Sequence, residues 1–346
     1  MTPQTIDTLI AALPKAELHL HLEGSVEPAT VVELAARHGL ALTAEEAAGR
    51  YAYRDFSGFL EAFKWVTSFL RTPADYALIA ERLAGRLLAQ NVVYAEVTLS
   101  VGVMLRRKQD PLANFAAILA SGEEARKKGL RIQWIFDAAR QFGASAAMEA
   151  ARMAAQAKSG GVVAFGMGGD ETAFPAADFR RVYDFVAAQG LHRLVHAGEV
   201  GGPESVLEAV QVLGAERIGH GIAAMRHERT MDFLAARQIP LEVCPTSNIA
   251  TGALALQLGR PEASLEDHPL AGFLARGLCV TLGTDDPAMF HTDLHNEFRV
   301  AHGMGLHSAE LRRLAEAGFR CAFLPTEEKR RLLDAFRAKT TAPRLI

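Results

Sequence analysis

Residues Ala16-Glu17-Leu18-His19-Leu20-His21-Leu22-Glu23-Gly24-Ser25, AELHLHLEGS, alternate leucine with histidine. Successive side chains of a strand point to opposite faces, so His19 and His21 share one face and Leu18, Leu20 and Leu22 the other. The leucines read as a face packed beneath helices. A core would hold valine on the opposite side, so two imidazoles there need a purpose.

Outward from this strand, seven further β-like runs follow, at 92–99, 131–138, 162–167, 193–197, 217–220, 239–244 and 278–284. Amphipathic or alanine-rich stretches of helical pattern separate them. Strands alternating with helices argue for parallel β/α units, and eight such units close into a (β/α)8 TIM barrel. The chain, 1–346, reads as one such domain, with extra helices at about 26–90 lying over one end as a lid. No linker rich in Pro, Gly or Ser divides it, and no repeat appears.

Composition narrows the classes. Hydrophobic residues make up 49% and charged residues 22%, the balance of a globular protein with a sizeable core. A net charge of −3 provides no footprint for nucleic acid. No apolar run reaches the roughly 18 residues of a membrane span. The start, MTPQTIDTLIAALPK, lacks the pattern of a signal peptide. Cys244, Cys279 and Cys321 are scattered and odd in number, against a disulfide framework. A cytoplasmic location is expected, and monomer or oligomer is left open.

In a barrel of this kind the active site lies at the C-terminal ends of the strands. His19 and His21 close the first run, LVHAGE places His196 and Glu199 after the fifth, and RIGHG places His220 at the sixth. LGTDDP places Asp285 and Asp286 after the eighth. Taken singly, these residues have ordinary explanations. A lone His-x-His is weak evidence of metal, His220 alone fits a satisfied core histidine, and Asp-Asp-Pro suits a turn or cap. Phe56, Phe59, Leu60, Phe63 and Trp65 at helical spacing suit a helix core. GMGGDE, 166–171, lacks the spacing of a phosphate loop. Polar groups from four segments meeting at one mouth go beyond those explanations. Three histidines and one aspartate form a suitable shell for Zn²⁺, which lowers the pKa of water to about 7. Glu199, three residues after His196, is placed to handle protons.

Together, ELHLHLEGS, GGDE, HAGE, RIGHG, CPTSN followed by TGA, and TDDP resemble, in this order, the adenosine deaminase family. The resemblance runs from about Leu13 to about Phe298. It implies a (β/α)8 barrel of the amidohydrolase type with one zinc per chain, held by His19, His21, His196 and Asp285. It implies Glu199 as the acid that protonates purine N1, and His220 as the group that orients the attacking water and helps deprotonate it. Asp286 would bind N7, and the Gly169 N–H would bind N3. Phe59, Leu60 and Phe63 would form an apolar lid. The expected partner is a purine nucleoside, with no nucleic acid and no membrane.

CPTSNIATGA is similar to the nucleoside-specific branch, and 94–105 lacks the FFDPQTH-like sequence of adenine-specific members. One departure concerns the sugar. HLEG replaces the family's usual HLDG, so Glu23 stands where an aspartate would bind the ribose 5′-hydroxyl. A 5′ group larger than hydroxyl is the expectation, with Arg106 and Arg107 available to a carboxylate on it. Adenine deamination and an inactive nucleoside-binding barrel are the alternatives. Hydrolysis of a lactone, amide or phosphoester commonly uses a second metal bridged by lysine, and no lysine ends the fourth run.

Overall fold

The computed structural model describes residues 3–341. Its strands are β1 (Lys15–His21), β2 (Val92–Leu99), β3 (Arg131–Ala139), β4 (Val162–Gly168), β5 (His192–Ala197), β6 (Arg217–His220), β7 (Leu241–Val243) and β8 (Val280–Leu282). All neighbours pair in parallel, in the order β1 to β8. The ring closes where His21 N–H donates to Asp285 O at 2.8 Å and Asp285 N–H to His19 O at 3.0 Å. This is the expected (β/α)8 barrel.

The last two strands are shorter than the runs at 239–244 and 278–284. Pro240 has no N–H for the ladder, and Pro245 opens a helix, Pro245–Ala250, directly after β7. After β8 the chain turns out of the sheet through Asp285, whose φ is 63°.

Between β1 and β2 lie four helices, Pro28–Arg37, Ala44–Gly49, Phe56–Thr67 and Pro73–Ala89. Their starts are written locally: prolines in the first turn at 28 and 73, and capping boxes at Thr43/Glu46 and Thr72/Asp75. The helix Ser308–Cys321 covers β1 and β8 from outside. Leu18, Leu20 and Leu22 are buried in the main core, each contributing about 1.5–3 kcal/mol.

The other face of β1 looks into the barrel. Low in the interior, Ile135, Ala164, Leu194 and Phe323 form a small apolar cluster. The Arg217 guanidinium stacks 3.6 Å from the centre of the Phe323 ring. It pairs with Glu96 and Glu242, each at 2.5 Å, and all three are buried. Tyr94 O–H and Phe323 N–H donate to Glu96 at 2.7 and 2.5 Å, so the floor is closed and its carboxylates are held by donors. Among the described residues no helix is long and apolar enough to cross a membrane.

Candidate active site

Above that floor, seven polar side chains reach one point from four strand ends. Asp285 Oδ1 lies 3.4 Å from both His19 Nε2 and His21 Nε2, and His21 Nε2 is 3.4 Å from His196 Nε2. A tetrahedron with bonds of about 2.1 Å, the Zn–N and Zn–O length, has edges of about 3.4 Å. His220 sits as near, its Nε2 3.9 Å from Asp285 Oδ2 and 3.6 Å from Glu199 Oε2. The rings nest because β6 carries glycine between them. A Cβ on Gly219 would stand 2.8 Å from His19 Cε1 and 3.2 Å from His196 Cγ. Both His220 and Asp285 hold φ of 63° without being glycine, a conformation that costs about 1–3 kcal/mol and gathers at functional sites.

The electrostatics fit a cation. Burial keeps His21, with a pKa near 4, and His220, near 3, in the neutral form, and depresses His196 well below its ordinary value. Neutral imidazole is the form that ligates metal. Burial opposes a charge on His19 too, but carboxylates at both ring nitrogens outweigh it and lift its pKa to about 10. Glu242 holds Nδ1 at 2.8 Å, whereas the buried Nε2 makes no hydrogen bond. Asp285 is buried, yet the surrounding imidazoles hold its carboxyl well below the usual range. The cluster therefore calls for one positive charge at the point where Nε2 and Asp285 meet. A divalent cation meets that demand, with Glu242 orienting His19 from behind.

Burial and the adjacent Asp285 and Glu171 charges raise Glu199 well above the carboxylate range, leaving it a neutral acid. Its loop is fastened at two points. The Glu171 carboxylate accepts the N–H groups of Gly198, Glu199, Val200 and Gly201 at 2.5–3.1 Å and the Ser205 hydroxyl. Gln257 Nε2 donates to Glu199 O and Gly201 O, both at 2.8 Å. Burial and Asp285 likewise push Asp286 up, and its buried Oδ1 has no partner. A Cβ on Gly24 would fall 1.6 Å from that oxygen, which explains the glycine of HLEG.

A hydrogen-bond chain sets the tautomer of His220. Leu270 N–H, which can only donate, gives to His268 Nδ1 at 3.2 Å. Burial keeps His268 neutral, its pKa near 3, so its proton is on Nε2 and is donated to Asn248 Oδ1 at 3.3 Å. Asn248 Nδ2 then donates to His220 Nδ1 at 3.2 Å, which leaves the proton of His220 on Nε2, aimed at the centre. Asn248→Asp is expected to reverse this tautomer and lower kcat about 10–100-fold with thermal stability kept. An unchanged kcat would remove the relay from the reaction.

The cavity over this cluster holds about 550 Å³. His21, His196, Glu199, His220, Asp285, Asp286 and Gly169 line it, with Phe59, Leu60 and Phe63 on the helix above. Glu23 is set back. It is buried, its Oε1 accepts the Ser100 N–H at 3.0 Å, and Ser100 rather than Glu23 reaches the cavity. Arg106 and Arg107 stand at the rim. Arg107 donates to Lys64 O and Thr67 Oγ1, and Arg106 lies over the Phe142 ring at 5.4 Å. Sequence reasoning missed Asp137, Glu171, Arg217, Glu242, Asn248 and His268. The signal for four of them was an ionisable residue inside or beside a buried strand, where charge is rare.

A family profile described as adenosine deaminase matches residues 14–339. The aminodeoxyfutalosine deaminase of Streptomyces coelicolor is 39% identical over 351 residues, spanning 98% of this chain and 88% of that protein. The adenine deaminase of Sinorhizobium medicae is 33% identical, spanning 94% and 99%. An amidohydrolase from Burkholderia ambifaria, crystallised with bound Zn, superimposes with a TM-score of 0.89 at 25% identity, covering 98% of this chain and 93% of that one.

Proposed function

Because the chain belongs to the adenosine deaminase family, we propose that it hydrolyses the 6-amino group of an adenine nucleoside to the 6-oxopurine and ammonia. The observation that carries this is Glu199, a buried neutral acid facing the same cavity as His21, His196, His220 and Asp285. His19, His21, His196 and Asp285 would hold the cation, and the donor set and the 3.4 Å separations suit Zn²⁺. When bound, such an ion supplies a strong nucleophile near neutral pH by lowering the pKa of water.

The chain's own residues do the rest. Glu199 gives its proton to N1, so that the ring accepts electrons as water adds at C6; one proton of that water restores Glu199 and the other leaves with the amine as ammonia. Asp286, held neutral, has an O–H to offer N7, and the Gly169 N–H serves N3. His220 holds the attacking water through its Nε2–H, as a donor rather than as a base. Phe59, Leu60 and Phe63 keep bulk water from the reacting atoms.

The rim supports a modified nucleoside. Lys64, Arg106 and Arg107 stand there against one carboxylate, Glu61, so an acidic 5′ group is favoured, as in 6-aminodeoxyfutalosine. Identity of 39% to a deaminase of that nucleoside supports the same reading. Ammonia release from adenosine, 2′-deoxyadenosine, 6-aminodeoxyfutalosine and adenine tests it. A modified nucleoside should be best. Adenine best by about a hundredfold, a discrimination within reach of binding contacts, would install adenine deamination instead.

A further inference from the structure

Asp137 projects from β3 into the cavity, 7% exposed, and its carboxyl makes no hydrogen bond or ion pair with any described residue. A carboxyl on the cavity wall with no protein partner is free to take a hydroxyl of a bound ligand. Glu23, also unpartnered at Oε2, lies behind Ser100 near it. Burial, then the Glu23 charge, raises Asp137 well above the carboxylate range.

The order of strands says which part of a ligand meets it. In the proposed reaction, N3 faces Gly169 after β4 and N7 faces Asp286 after β8. One arc between them, β5 to β7, carries the groups that face N1 and C6. A purine ring turned this way directs N9 into the other arc, β1 to β3. Ser100 and Asp137 line the cavity there. We propose that Asp137, with Ser100 beside it, binds a hydroxyl of the sugar and so makes the site select nucleosides over the free base. The inference rests on the nucleoside reading above.

The test compares wild type with Asp137→Ala and Asp137→Asn on adenosine and its 2′-deoxy, 3′-deoxy and 5′-deoxy analogues. Asp137→Ala should lower kcat/KM for adenosine about 30–100-fold, the size of one hydrogen bond to an ionisable group. The analogue lacking the contacted hydroxyl should be slow with wild type and lose less than about threefold more. Asp137→Asn should recover part of the loss. Thermal stability of Asp137→Ala should hold or rise, because an unpaired buried carboxyl is removed. Equal losses on all four substrates, or none on any, would overturn the sugar contact. Wild type turning over adenine but no nucleoside would instead overturn the reading beneath it, and that is seen before any variant is made.

Discussion

Glu199→Gln is expected to lower kcat by about 10²–10⁴-fold, the usual worth of a positioned acid, with metal content and melting temperature near wild type. Glutamine has the same shape and keeps an N–H donor, but it delivers no proton to N1. The loop should not move, because Glu171 and Gln257 hold it through backbone atoms that the substitution leaves alone. The pH profile follows with a definite sign. The acid works while protonated, and burial raises its pKa, so kcat/KM should fall on the alkaline side as Glu199 ionises. Activity retained in Glu199→Gln, or a profile that keeps climbing with pH, would take the acid role away from it.

Removal of the metal is expected to have an effect of similar size. Dialysis against a chelator should abolish ammonia release, and Zn²⁺ at one equivalent per chain should restore it. Two equivalents per chain by elemental analysis would reopen the lysine-bridged alternative. Glu242→Gln should weaken Zn²⁺ about 10–100-fold in competition with a coloured chelator, because His19 loses the carboxylate on its Nδ1. The same change removes one of the two buried ion pairs of Arg217, leaving Glu96 as its partner, so melting should also drop. An unchanged zinc affinity would show that Glu242 serves the floor alone.

The barrel was legible because its signals are local. Alternation in AELHLHLEGS fixes which face is wet, and the runs at 92–99 and 217–220 coincide with β2 and β6. The expected metal ligands were legible because each lies at or just past the end of a strand, where barrel geometry brings distant segments together. The supporting groups were hidden for the opposite reason. His268 acts on His220 only through Asn248, and Glu171 acts on Glu199 only through backbone N–H groups, relations that no spacing in sequence encodes. Glu23 shows the limit from the other side. The motif marked it as a sugar contact, yet its carboxylate is turned to Ser100 N–H and another strand supplies the group that faces the cavity.

The closed floor has a consequence for how the metal is lost. With Phe323, Arg217, Glu96 and Glu242 plugging the lower end, the cavity over the cluster lies between that floor and the helix Phe56–Thr67. The expected metal position lies at the bottom of that cavity, so a chelator should strip the enzyme more slowly when a nucleoside product is present than when the cavity is empty.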